Sequence, residues 1–103
     1  MKSVCVINVV GLTPELLKHA PNIAALGTSV PWSPPVPAVT CTSQATLLTG
    51  RLPSSHGIVA NGWYFKETSE IRFWQQSRNL IDCQELLYDG IETAKLFWWF
   101  NQH

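Results

Sequence analysis

The residues most able to do chemistry lie in one run, PAVTCTSQATLLTGRLPSSHGIVANGWY, from Pro37 to Tyr64. Thr40, Cys41, Thr42 and Ser43 stand side by side just before a short apolar-periodic segment. If that segment is a helix, its first N–H groups lack intrahelical acceptors and the positive end of its dipole favours an anion. A hydroxyl at Thr40 is then placed to attack a phosphoryl group whose developing charge the same helix end stabilises. The structural reading of these hydroxyls is plain N-capping, worth ~1 kcal/mol per cap, and on local pattern alone it takes precedence. Cys41 is open to two readings: a thiolate whose pKa the helix end lowers, or a buried packing residue, and no histidine is tied to it in sequence. His56, alone in its loop and without a second ligand at metal spacing, reads as a hydrogen-bonding residue that orders the loop. Asn61-Gly62 reads as a turn, and Trp74, Trp98 and Trp99 as core rather than as a stacking platform.

The elements that must position this run follow from pattern. SVCVINVVGL, at 3–12, is rich in Val and Ile and nearly continuous in apolarity, which predicts a strand buried on both faces in a parallel sheet. TPELLKHA then offers Thr13 as helix cap, Pro14 at the first helical position and Glu15 in the first turn. Strand followed by capped helix is the opening of an α/β unit. Pro21 restarts the helix, and Gly27 is placed to end it. Pro31, Pro34, Pro35 and Pro37 fix φ and remove donors, making an extended connector that delivers Thr40 to a set place. TSQATLLTG predicts a short helix capped by Thr42 or Ser43 and closed by Gly50. WYF and IRFW around KETSE predict a hairpin. RNLIDCQELLYDG predicts a helix with Leu80, Cys83 and Leu87 on one face, and TAKLFWWF, at 93–100, a second buried strand.

The whole chain bounds these readings. At 103 residues it is at most one domain, able to bury roughly 60–70% of its unfolded surface. Seven basic residues balance seven acidic ones and are scattered along the chain, which argues against a nucleic-acid polymer as partner. The three cysteines, Cys5, Cys41 and Cys83, have no CxxC spacing. Neither a disulfide framework nor a zinc knuckle is supported, and reduced thiols point to a cytoplasmic protein. No segment reads as a signal peptide or bilayer span, so no membrane is expected. The aromatic run Phe97 to Phe100 reads as a strand whose covering layers lie elsewhere, so the chain is expected to be a fragment. The competing reading of that run is an apolar patch for a membrane interface or for self-association.

Taken together, VINVVGLTPELL and the Pro37–Tyr64 run resemble the alkaline phosphatase superfamily, within it the type I phosphodiesterase and nucleotide pyrophosphatase branch. That branch has a strand ending in Asp-Gly-Leu, a proline-flanked threonine and a TG-x-x-P-x-x-HGI segment. Thr49, Gly50, Pro53, His56, Gly57 and Ile58 match the last of these, and Thr40 takes the threonine position. The resemblance covers nearly the whole chain. It implies an α/β fold: the N-terminal portion of an alkaline-phosphatase-like three-layer structure with a mostly parallel sheet, residues 1–103 being part of a single such domain. It implies a metal-dependent hydrolase of phosphoesters, phosphodiesters or nucleotide pyrophosphates, acting on a small phosphoester substrate. Thr40 would be the nucleophile and a ligand of one of two divalent ions, zinc in a full-length protein. Where the branch often has an asparagine three residues beyond the nucleophile, this chain has Ser43 with Gln44 beside it, either able to hold a phosphoryl oxygen.

One departure limits the expectation. At the family's first metal-binding aspartate, just before Gly11, stands Val10, which cannot ligate a cation. The remaining metal ligands of the family lie further along than His103. The expectation is therefore that this chain alone binds no metal pair and does not turn over substrate. Two alternatives stand beside the hydrolase reading: a non-catalytic relative or remnant kept for binding or assembly, and an independent Trp-rich interaction module.

Overall fold

The computed structural model describes residues 3–74, 77–82 and 85–100. The chain divides into two compact units, Met1–Ser33 and Pro34–His103.

In the first unit, residues 3–9 have no regular structure, and a turn at Gly11 (φ +80°) follows, closed by Leu12 N–H on Val9 O at 3.2 Å. Two single-turn helices come next, α1 (Pro14–Leu17) and α2 (Pro21–Ala24). The start of α1 is built as its sequence prescribes. Thr13 is extended and its Oγ1 accepts Leu16 N–H at 3.2 Å, Pro14 occupies the first turn, where its missing N–H costs nothing, and Glu15 sits at the positive end. Pro21 starts α2 in the same way, but the last turn is closed at Ala25, and Gly27 lies past it. No described residue of this unit is buried.

The strand expected over 3–12 is therefore absent: Val4, Val6, Ile7 and Val10 are all exposed and no ladder includes them. A parallel strand exists only by pairing along its edges and by cover on its faces, and the described residues supply neither.

The second unit holds the core. After the proline connector, with a cis bond at Val36–Pro37, helix α3 spans Thr40–Thr49. It begins earlier than expected: its flanking residue is Val39, three residues before Thr42 and four before Ser43, the expected caps. Val39 is the extended flanking residue and its carbonyl takes Ser43 N–H at 2.9 Å, so Thr40 is the first helical residue, and Thr42 and Ser43 lie inside the first turn rather than capping it. The end is as expected: Gly50 adopts the left-handed conformation (φ +64°) that L side chains resist, and its N–H reaches Thr46 O at 2.8 Å.

One face of α3 is buried through Cys41, Ala45 and Leu48, spaced as a helix requires. They pack with Ile58, Ile81, Leu86 and Phe100, and Leu80, Tyr88, Trp98 and Trp99 close the edges. Each large apolar side chain so buried stabilises the fold by about 1.5–3 kcal/mol.

Helix α4 (Pro53–His56) is one turn ended by Gly57 in the left-handed region. The hairpin expected around KETSE is present. β1 (Gly62–Phe65) pairs antiparallel with β2 (Glu70–Phe73), in the register Gly62 with Phe73 and Tyr64 with Ile71. This two-stranded antiparallel pair is the sheet of the described residues; a parallel, three-layer arrangement is not seen among them. From Arg78 to Leu80 there is only a 3-10 turn, where a helix over 78–90 was expected; Cys83 of that helix lies outside the described residues. The segment 93–100 forms no strand either. It is attached to α3 instead, with Phe100 in the core.

Candidate functional site

The site is the first turn of α3 and what braces it. Thr40 is half-buried, and its hydroxyl has no hydrogen-bond partner among the described residues. Of the first N–H groups of the helix, that of Cys41 is taken by Asn61 Oδ1 at 2.9 Å. Ser43 N–H goes to Val39 O. Those of Thr40 and Thr42 find no acceptor among the described residues. In a ten-residue helix they form a donor-rich end suited to an anion. Thr42 Oγ1 is fully buried without a hydrogen-bond partner among the described residues, an uncommon state for a hydroxyl that could donate or accept.

Asn61 is the residue that sequence reasoning missed. Read from the sequence as a turn with Gly62, it stands at the entry to β1 with its backbone O accepting Trp74 N–H at 3.0 Å. The hairpin thus holds its backbone while its side chain holds the start of α3. With Oδ1 committed to Cys41 N–H, the amide nitrogen of Asn61 is the donor end of the side chain. The signal in the sequence is only that an asparagine is both acceptor and donor; which helix end it serves is set by the fold.

The other expected site residues fall as follows. Ser43 is half-buried within the first turn. Gln44 is almost fully buried, and its Oε1 accepts Trp99 N–H at 3.0 Å, tying the 93–100 segment to α3. Its carbonyl is thereby occupied, leaving the amide nitrogen for any other contact. Cys41 is fully buried, and burial pushes its thiol up to about 11. Desolvation outweighs the pull of the helix end, so the packing reading stands and a thiolate does not form near neutral pH.

His56 is fully buried. Its Nε2 is 2.9 Å from Thr46 Oγ1 and its Nδ1 accepts Ile58 N–H at 3.1 Å. Both ring nitrogens are occupied, so it orders the loop and offers no lone pair to a metal or a substrate proton. Burial also holds its pKa below the ordinary histidine range.

Among the described residues no group of three or more His, Cys, Asp or Glu side chains converges as a metal site would need. The described residues therefore supply no ligand set for a two-ion centre. Nor is any helix among them long and apolar enough to cross a membrane.

The family model described as type I phosphodiesterase / nucleotide pyrophosphatase matches residues 4–102 of the chain. No curated protein and no solved structure matches it.

Proposed function

Because the chain belongs to the type I phosphodiesterase / nucleotide pyrophosphatase family, we propose that it carries the nucleophile-bearing part of a phosphoester-, phosphodiester- or pyrophosphate-cleaving site, with Thr40 as nucleophile. The observation that carries this is the placement of Thr40 as first residue of α3, its hydroxyl unpartnered among the described residues, beside N–H groups with no acceptor there. In the reaction, a bond forms between Thr40 Oγ and phosphorus while the bond from phosphorus to the leaving oxygen breaks. The hydroxyl proton leaves Thr40 and the departing oxygen gains one. Water then displaces the threonine and restores it. The N–H groups of Thr40 and Thr42 favour the added negative charge of the phosphoryl oxygens. Ser43 and the Asn61 and Gln44 amide nitrogens are the further donors proposed for those oxygens.

The family is generally metal-dependent. The two zinc-type ions that Thr40 would share in a full-length protein find no ligand set among the described residues, so none of the steps above is assigned to them. Consistent with that, we propose that this chain alone does not turn over substrate. The exposed apolar run at 3–10 supports a further part of the same reading, in which it is a strand of a mostly parallel, three-layer sheet formed with segments not described here. Left uncovered, that surface would promote self-association. The free thiols of Cys5 and Cys41 fit a cytoplasmic setting.

A second reading, a non-catalytic relative kept for binding or assembly, is favoured by Val10 and by the want of a metal-ligand cluster among the described residues. The two separate on one assay. With zinc supplied, the protein expressed from its full reading frame should cleave a nitrophenyl phosphodiester, and Thr40→Ala should abolish the cleavage. Unchanged turnover in Thr40→Ala removes the nucleophile assignment. No turnover in the full-frame protein favours the non-catalytic reading, and turnover by residues 1–103 alone overturns their proposed inactivity.

A further inference from the structure

His56 ends α4, and its contact with Ile58 N–H fixes the tautomer of its neutral ring. Ile58 N–H can only donate, so His56 Nδ1, 3.1 Å away, accepts and carries no proton. The proton of the neutral ring is therefore on Nε2, 2.9 Å from Thr46 Oγ1. Thr46 accepts it and gives its own hydroxyl proton to Thr42 O at 2.9 Å. One donor without choice, the Ile58 N–H, thus orients a chain of three bonds running from the loop after α4 into the first turn of α3.

We infer that this chain of bonds is an acid-sensitive latch between α3 and α4, closed while the His56 ring is neutral and opened when it is protonated. An imidazolium has a proton on both nitrogens, so the one at Nδ1 would face the Ile58 N–H, donor against donor. Ile58 N–H then loses its acceptor inside the core. Burial acts in the same direction. Desolvation of a ring with no exposure to solvent is the main cause of its lowered pKa, and a backbone hydrogen bond opposes it in part.

The titratable and charged groups on the elements packed around this loop are Cys41 on α3, Arg51 between α3 and α4, and Asp82, whose backbone N–H donates to His56 O at 3.0 Å. Among the described residues none of their side chains makes a hydrogen bond or ion pair with the imidazole. No carboxylate there offsets an imidazolium charge. The sign follows: a histidine with its folded-state pKa lowered stabilises the fold fully above its ordinary value of about 6.5. That stabilisation is lost as pH falls from there through the folded-state pKa.

The test is nitrogen NMR on the full chain carrying isotope-labelled histidine, with a histidine model peptide as reference. His56 should show the Nε2–H tautomer near neutral pH and stay neutral at about pH 6.5, where a histidine of ordinary pKa is half-protonated. The urea midpoint of the wild type should fall between about pH 7 and about pH 5, and His56→Gln should flatten that fall. If His56→Gln does not fold, Thr46→Val, which keeps the ring and cuts the latch, should speed exchange of the Nε2 proton while the Nε2–H tautomer, fixed by Ile58 N–H, persists. Titration of His56 at or above the ordinary histidine value of about 6.5, an Nδ1–H tautomer at neutral pH, equal pH dependence in wild type and a folded His56→Gln, or slow Nε2 exchange persisting in Thr46→Val would each overturn the latch. None of these readouts depends on phosphoester cleavage.

Discussion

The side-chain oxygen of Asn61 caps the helix that Thr40 opens: it accepts the N–H of Cys41 at 2.9 Å from twenty residues further along the chain. The flanking residue, Val39, has no side chain able to do this. The cap therefore comes from the hairpin entry, and the first turn of α3 depends on tertiary structure for what most helices obtain locally.

Removing that oxygen tests the dependence. Asn61→Ala should lower stability by ~1–2 kcal/mol, as lost caps do, read as a shift in urea midpoint with unchanged slope. Asn61→Asp keeps an acceptor and should fold nearly as well as wild type, yet it adds negative charge beside the helix end proposed to receive a phosphoryl group. Inorganic phosphate or vanadate bound at that end should be weakened by Asn61→Asp more than stability is. Equal losses in the two variants would mean that Asn61 acts on folding alone.

What was legible in the sequence was what is decided locally. Thr13, Pro14 and Glu15 shape the start of α1, and Gly50 ends α3, because capping and left-handed φ are properties of one or two residues. The hairpin around KETSE could be read because short β-rich segments flank a turn. The start of α3 could not, since it is set by an extended Val39 and by the distant Asn61. Nor could the state of the two apolar runs. Val4 to Val10 and Thr93 to Phe100 are apolar enough for strands, but a strand is a relation to partners, and apolarity fixes neither partner nor edge. The same limit hid the dual use of Asn61 at the candidate site, while a helix beginning just after Thr40 was implied by the Ser/Thr run and the periodicity after it, though not that Thr40 itself opens it.

Within 93–100, burial differs sharply between neighbours of the same type. Phe100 is 1% exposed and in the core, whereas Phe97 is fully exposed. Phe100→Ala should therefore cost ~3–5 kcal/mol, enough to threaten so small a core, and Phe97→Ala should change stability by no more than about 0.5 kcal/mol. Chemical denaturation of the two variants side by side checks this; similar losses would contradict the placement of the segment.

Gly62 lies opposite Phe73, and a Cβ added there would come within 2.5 Å of the Phe73 ring. The ring is 63% exposed, so it can swing away, and Gly62→Ala should cost on the order of 1 kcal/mol or less. In the background Phe73→Ala the clash is gone, and the same substitution should be neutral or mildly stabilising through its effect on the unfolded chain. A double-mutant cycle measures the difference; additive effects would show that the ring does not cover Gly62.

Cys41 and Cys5 should differ in reactivity for reasons that oppose each other at Cys41. A helix start favours a thiolate, but Cys41 is fully buried and its thiol is pushed up to about 11, whereas Cys5 is exposed. Because the thiolate is the reacting form, iodoacetamide near pH 8 should alkylate Cys5 promptly, while Cys41 reacts at the rate at which the fold opens. Peptide mapping by mass spectrometry separates the two. Adding urea below the unfolding midpoint should speed only Cys41, and in Asn61→Ala its labelling should accelerate without denaturant, because the cap that holds the Cys41 N–H is gone. Fast labelling of Cys41 in the native wild type would mean that the helix start prevails over burial, and the thiolate reading of that residue would have to be restored.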